Sequence, residues 1–557
     1  MLVVVGVLVL LSVIIGLDVF GQLIAPAAPL NFDEAAHSLP GYYVLRDIRA
    51  LDARAFWGDF HIQTLWPPGF SILQAPFLAV LGRTDDAART FAYIMLVLTL
   101  LMACALAYEI YPESAPLAGL ISGLISLSAP GWLFVSSWAM QETPVAFVAF
   151  VVFWIFLRAL KTQQIPWFVL TGCGLFFLFL TKYNYAAFAL ATTSIVDLVV
   201  RIRRMAQPVA SDSPQALDRN RGGRIGDVIR RFQPGTLVGL YAPIIVCLAL
   251  WFFTGTDIAS TDVKWRDFRF FVSNENSGYP FWSEQNLLFY VRATLNWLMP
   301  HPLLAIAIFL GAVWAVVKVR HRGVLLLAVY FGLGFVLATV HQLKAERYIT
   351  PLFPSLWLLA GIGITDILYR LARRQMPGGG RLKRIYSLSS VAVVFAIALA
   401  SWVTALPRLQ PVWAGNLADD LRAASNQITA WQQGDRPVLI IGTFGELSPP
   451  LFEWRLRPLP AFRTTPYPVQ YDAPPVDGPD DIARVSRWLT ENPGAQVTLI
   501  RVDPSSPLFQ TDDMKNKNAW RQDIVRHWGE VKGYTLVSKM DYPRSGVQIS
   551  YWLPVQK

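Results

Sequence analysis

Charged residues are scarce in this chain. Asp, Glu, Lys and Arg together make 15% of its 557 residues, where a soluble domain carries about a quarter. That shortage excludes an ordinary soluble enzyme. Cysteine is nearly absent too: Cys104, Cys173 and Cys247 all fall inside apolar stretches, without the spacing of a metal site or a disulfide framework. They read as small packing residues. The histidines form no HExxH-type arrangement, so no metal site is assigned. There is also no P-loop, no GxSxG elbow and no dinucleotide fingerprint, which removes soluble nucleotide chemistry. Internal repeats and long low-complexity tracts are missing as well.

What remains is apolar and aromatic: 54% hydrophobic residues, with 20 Trp and 34 Phe. Apolar runs of about 16 to 22 residues recur through the first 405 positions, the length that crosses a bilayer. They begin with 2–20, which lacks the basic stretch of a cleaved signal peptide and is read as a retained helix. Further spans are expected at 88–110, 115–130, 139–159, 165–181, 184–200, 237–254, 302–319, 323–341, 349–369 and 386–405. The expected fold is mainly α, a polytopic membrane protein of about 11 transmembrane helices. The formal charge of +10 does not point to nucleic acid, because the basic residues cluster in loops between spans. From a cytoplasmic N-terminus, Arg158 and Lys161, the group from Arg201 to Arg231, Lys318 to Arg322 and Arg370 to Arg384 all fall inside, as the bias of cytoplasmic loops requires. Treating the short apolar stretch after Pro67-Pro68 as a span would invert every later loop. Residues 68–81 are therefore expected to be an interfacial helix within a first outer loop, 25–87. Loop 207–234 reads as a basic cytoplasmic segment.

This topology sends the polar residues nearest the membrane to one outer surface. Asp33 and Glu34 follow the first span and read either as helix caps or as a catalytic pair. Glu142 opens an apolar span, where an immersed acid costs about 2.5–3.5 kcal/mol, which favours a functional role. Lys182 and Tyr183 occupy a tight outer turn; a snorkelling lysine is the plainer account, but an isolated outer cation is against the charge bias. The stretch His341, Lys344, Arg347, Tyr348 suits an anionic headgroup, with an interfacial anchor as its rival. Loop 255–300 is aromatic, fitting a membrane belt, sugar stacking or a lipid chain equally. After residue 405 the composition turns polar and Pro-rich, with strands expected at 438–441 and 496–501, helices at 480–490 and 518–528, and a hairpin of 534–539 and 547–552 around Pro543-Arg544-Ser545-Gly546. Residues 406–557 form an expected soluble α/β domain outside the membrane, and 1–405 the transmembrane domain.

An acidic pair after the first span, a Pro-Pro segment closing the first outer loop and an acid opening a later span resemble the GT-C integral-membrane glycosyltransferases. The likeness is to the branch with the protein O-mannosyltransferases and the lipid A aminoarabinose transferases. Leu180-Thr181-Lys182 resembles that branch's Lys-containing turn, and Lys344 to Pro354 (KAERYITPLFP) its K-x-x-R-Y-x-x-P-x-x-P segment. The resemblance covers roughly 1–405. It implies transfer of a sugar from a polyprenyl-phosphate carrier to an acceptor hydroxyl of a protein, lipid or glycan on the outer face, with inversion. It implies Asp33 as general base, with Glu34 and Glu142 in the acidic machinery, and Lys182 and Arg347 near the carrier phosphate. Tyr183, His341, Lys344, Tyr348 and Trp66 are expected among the substrate contacts. Trp66 is a departure, since some relatives place Lys or His just before the Pro-Pro pair. No cofactor is assigned, though an acidic pair could hold a divalent ion. The competing readings are a transporter, which should place its charges near the midplane with an inverted repeat, and a non-catalytic assembly or binding protein.

Overall fold

The computed structural model describes residues 1–64, 66–206, 232–254, 261–272, 282–299, 302–341, 344–375, 392, 416–431, 438–441, 451, 490, 494–503 and 534–555. In chain order the helices are α1 (Leu2–Val19, continued by a wide turn Phe20–Ile24), α2 (Phe32–Arg49), α3 (Ala53–His61), α4 (Gly69–Leu81), α5 (Asp85–Ile110), α6 (Ala115–Leu127), α7 (Pro130–Ser136), α8 (Glu142–Thr162) and α9 (Ile165–Thr181). They continue with α10 (Tyr183–Ala206), α11 (Pro234–Phe253), α12 (Thr261–Val272), α13 (Glu284–Ala293), α14 (Pro302–Lys318), α15 (Arg322–Val340), α16 (Phe353–Gln375) and α17 (Asn416–Trp431). The chain divides into two compact units: Met1–Phe20, Tyr43–Phe77 and Arg89–Leu409 in one, Gly21–Tyr42, Leu78–Ala88 and Gln410–Lys557 in the other.

Among the described residues seven helices are long and apolar enough to cross a membrane, and nine if each of two bent pairs counts as one span. The chain is thus an integral membrane protein. The stretch 112–136 is one of the bent pairs: Pro130 restarts the chain after Leu127, and the two helices meet at 75°. Helix α9 is a shorter apolar helix of 17 residues, about 26 Å at a rise of 1.5 Å per residue. The expected span at 386–405 lies outside the described residues.

In the first unit the helices close together through small residues, as helices do where lipid gives no hydrophobic drive for association. The tightest place is the α14–α16 crossing, where a Cβ built on Gly363 would lie on the Gly311 carbonyl oxygen. Gly363→Ala should therefore lower the thermal unfolding midpoint in detergent, as overpacking that costs about 1–3 kcal/mol or more. Gly332→Ala, where the added carbon meets nothing within 4 Å, should leave it unchanged.

The second unit holds a four-stranded sheet of order β1 (Val438–Ile441), β2 (Gln496–Val502), β4 (Val547–Pro554), β3 (Tyr534–Tyr542). β1 runs parallel to β2 from Val438 opposite Gln496, and β2, β4 and β3 are antiparallel. Gly546, at φ 68°, makes the left-handed step that turns β3 into β4. The strands stand where alternation places them, whereas the expected helices at 480–490 and 518–528 fall outside the described residues but for Thr490. Helix α17, which strand-helix alternation did not pick out, lays Ala418, Leu421, Ala424 and Ile428 on Ile500, Val547 and Ile549. The spacing of those four is one helical face. Ala28 joins the same core, and the Arg422 guanidinium donates to the carbonyls of Ala25 (2.6 Å) and Ala27. The stretch just before Asp33 is thus held by this unit.

Candidate active site

In the second unit the acidic pair is split by its own helix start. The Asn31 side chain accepts from the Glu34 amide at 3.0 Å, and the Glu34 carboxylate accepts from the Asn31 amide at 3.1 Å. This reciprocal capping box satisfies two backbone donors at the start of α2. Glu34 is 1% exposed. Asp33 takes no part in that reciprocal pair and is half-buried. Within that box the capping carboxylate is that of Glu34.

In the first unit the polar residues gather around Glu142. It is the first residue of α8, where the helix dipole favours an anion. Lys182 is a single extended residue between α9 and α10 (φ −164°, ψ 119°), and this break aims its ammonium at the Glu142 carboxylate, 2.8 Å away. The Arg347 guanidinium stands 3.9 Å from the same oxygen. Glu142 is 1% exposed, so one buried carboxylate faces two cations. Tyr348 lies between them, its ring 5.3 Å from the Lys182 nitrogen and 5.5 Å from the Arg347 guanidinium carbon. Tyr185, absent from the sequence expectations, donates its hydroxyl to the Tyr348 carbonyl and fixes that turn. Nothing in the sequence distinguishes Tyr185 from the neighbouring aromatics of α10.

The Pro67-Pro68-Gly69 turn abuts this cluster. A Cβ on Gly69 would come within 2.7 Å of the Leu180 and Thr181 backbone, so glycine lets the two turns touch. Trp66, at the head of that turn, is half-buried. Tyr183 is spent differently: its hydroxyl donates to the Thr64 carbonyl at 2.8 Å and its ring packs on Phe179 and Phe268. Lys344 donates to the carbonyls of Ala338 and Thr339, capping the end of α15, and lies 4.8 Å over the Tyr290 ring. Burial pulls its ammonium down to about 8. His341 is the half-buried residue that ends α15. Glu142, Lys182, Arg347 and Tyr348 are thus brought together, while Tyr183 and Lys344 brace the loops around them. Among the described residues no three His, Cys, Asp or Glu side chains stand close enough to hold a metal ion.

Beside Arg347 opens a cavity of about 840 Å³, with aromatic walls from Phe134, Trp138, Phe289 and Trp297 and polar groups from Arg292 and Asn296. Its size and its mixture of aromatic surface with a few polar groups suit an organic ligand.

A buried amine marks the loop helix α12. Lys264 donates to the Trp251 and Thr254 carbonyls, at 2.6 and 2.5 Å, and to His61 Nδ1 at 2.7 Å. Nearby, Thr64 bonds to Asp267, so α12 is stapled to the segment that Tyr183 also holds. Burial, and then the Lys264 charge, bring the His61 imidazole from 6.5 to about 4. Between those values the unfolded chain binds more protons than the folded one. This contribution is complete above pH 6.5 and is lost as pH falls toward 4. Protection factors of α12 amides, that is, exchange rates corrected for the intrinsic pH dependence of exchange, should therefore fall from pH 7 to pH 5 in the native chain, and less so in His61→Gln.

The family model for dolichyl-phosphate-mannose-protein mannosyltransferases matches residues 66–210, a stretch that includes Trp66, Glu142 and Lys182. No curated protein matches the chain. Among solved structures, ArnT from Cupriavidus metallidurans in the apo state is similar with a TM-score of 0.59 at 14% identity, over 98% of each chain. ArnT from the same organism bound to undecaprenyl phosphate is similar with a TM-score of 0.56 at 14% identity, again over 98% of each. Likeness at that identity is a likeness of fold.

Proposed function

We propose that this chain, a membrane protein with the fold of the GT-C glycosyltransferases, moves a sugar from a polyprenyl-phosphate carrier to an acceptor hydroxyl on the outer face of the membrane, inverting the anomeric centre. The observation that carries this reading is the placement of two cations, Lys182 and Arg347, at one buried carboxylate, Glu142, beside an aromatic cavity that Arg347 helps to line. Two cations fixed in place at such a cavity suit a phosphate. A similar fold holds undecaprenyl phosphate in the ArnT structure, which supports the class of donor.

The chemistry is a single displacement. The acceptor oxygen forms a bond to the anomeric carbon while the bond from that carbon to the carrier phosphate oxygen breaks, and the electron pair leaves with the phosphate. Lys182 and Arg347 would stabilise the charge that grows on the leaving oxygen, an effect of preorganised donors commonly worth about 2.7–4 kcal/mol per contact. Asp33 would take the acceptor's proton, general-base help of roughly 10²–10⁴ in rate. Glu142 would hold the two cations at fixed positions and keep them from repelling each other. Residues 406–557 form a soluble domain on the same outer side in this reading.

The test is binding of carrier lipids to the full chain in lipid nanodiscs. Undecaprenyl phosphate should bind about tenfold or more tightly than undecaprenol, because only the former offers the anion. Equal binding of the two would remove the phosphate site and the reading with it.

A further inference from the structure

At the other end of α8 from Glu142, three helix ends meet around a single carbonyl. Leu160, one of the last carbonyls of α8, accepts from Arg322 at 2.6 Å and from Arg204 at 3.5 Å. Arg204 lies near the end of α10 and Arg322 opens α15. Arginine on a terminal carbonyl is ordinary helix capping. Capping explains one guanidinium there and not two.

Among the described residues the local charges do not balance: five cations gather at these helix ends, Arg158, Lys161, Arg201, Arg204 and Arg322, against the carboxylates of Glu109 and Asp197. Both acids are already engaged: Glu109 with Arg158 and Lys161 at 3.0 and 3.1 Å, and Asp197 with Arg201 at 2.6 Å. Among the described residues Arg204 and Arg322 make no ion pair. Their hydrogen bonds go to neutral oxygens: Leu160 for both, and the Gln163 and Gln233 side chains for Arg204. Arg322 also stands at the N-terminal end of its helix, where the dipole favours an anion and opposes a cation. Among the described residues its one acceptor, the Leu160 carbonyl, leaves most of its five N–H groups for another oxygen. Both side chains are half-buried, so neither is simply solvated.

Both arginines stand at the ends of helices long and apolar enough to cross a membrane, the depth at which lipid headgroups lie. A paired guanidinium clamp at that depth matches the phosphate of a lipid headgroup.

We propose that Arg204 and Arg322 form a binding site for the phosphate headgroup of an anionic phospholipid. Two forks on one phosphate give bidentate, charge-assisted bonds that an amine cannot copy. The bound lipid neutralises the surplus charge and ties α8, α10 and α15 together at that end. By the sidedness of the basic loops this is the cytoplasmic leaflet. The site is separate from the Glu142 cluster and does not depend on what that cluster does.

The experiment is native mass spectrometry of the full chain, delipidated in neutral detergent and titrated with dioleoylphosphatidylglycerol, dioleoylphosphatidylcholine and inorganic phosphate. One phosphatidylglycerol should bind, about tenfold or more tightly than phosphatidylcholine. Arg204→Gln with Arg322→Gln should reduce it to the phosphatidylcholine level, whereas Arg203→Gln, an exposed neighbour, should not. Arg204→Lys with Arg322→Lys keeps the charge and loses the forks. It should weaken binding roughly threefold to fivefold, and it serves as the readout if the glutamine pair does not fold. Undiminished phosphatidylglycerol binding in these double variants, or equal binding of phosphatidylcholine by the native chain, would overturn the site. Displacement of phosphatidylglycerol by millimolar inorganic phosphate would show a site for a phosphate ion and overturn the lipid assignment.

Discussion

Asp33→Asn should reduce sugar transfer by roughly 10²–10⁴ while leaving the thermal midpoint close to native, whereas Glu34→Gln should leave both transfer and midpoint close to native. The contrast comes from the start of α2. Glu34 closes the capping box with Asn31, and glutamine at that position can still accept from the Asn31 amide. Asp33 sits one residue earlier, half-buried and outside that exchange. An amide there keeps the shape and removes the basic lone pair. Glu34→Ala separates the roles from the other side: it should cost about 1 kcal/mol of stability by breaking the cap, with transfer by the folded fraction largely retained. Rates measured with the polyprenyl-phosphate donor, alongside unfolding midpoints, decide the matter. If the two losses fall the other way round, Glu34 is the chemical group and Asp33 is structural.

The second large effect concerns Lys182. Lys182→Met removes the nearest cation of the proposed phosphate site and leaves the buried Glu142 carboxylate with Arg347 at 3.9 Å. Two consequences follow, and they can be separated. Transfer should fall by about 10²–10³ through loss of charge stabilisation. Stability should also fall, by about 3–5 kcal/mol, because breaking a buried pair strands its partner. Adding Glu142→Gln removes that stranded charge. The double variant should regain most of the stability and little of the activity. Recovery of transfer together with stability would make the pair a structural staple and nothing more.

Much of this arrangement was legible from the residues. Run length and loop charge gave the membrane class, and the residues read as strands at 438–441, 496–501 and in the hairpin about Gly546 do pair as strands. The order of Glu142, Lys182 and Arg347 along the chain suggested a shared surface, and the structure brings those three together. What the residues could not reveal depends on contacts between distant segments. Lys344 and Arg347 look alike in sequence, yet one caps α15 and the other faces Glu142. Tyr183 and Tyr185 are two residues apart, and the α10 surface sends one to Thr64 and the other to Tyr348. The bend at 112–136 was hidden for a different reason: hydropathy registers how apolar a stretch is and not whether Pro130 bends it. The capping box was present in plain sequence as Asn31-Phe32-Asp33-Glu34, but capping and catalysis ask for the same residue types.

The most direct measurement of the central claim is a turnover assay on the native chain in lipid nanodiscs, given polyprenyl-phosphate sugars and a mixture of protein, lipid and glycan acceptors. Release of polyprenyl phosphate and the anomeric configuration of the product would be read in the same sample. The account predicts release that requires an acceptor, with the configuration inverted. Release with retained configuration would contradict the single displacement, and no release with any donor and acceptor would contradict the transferase itself.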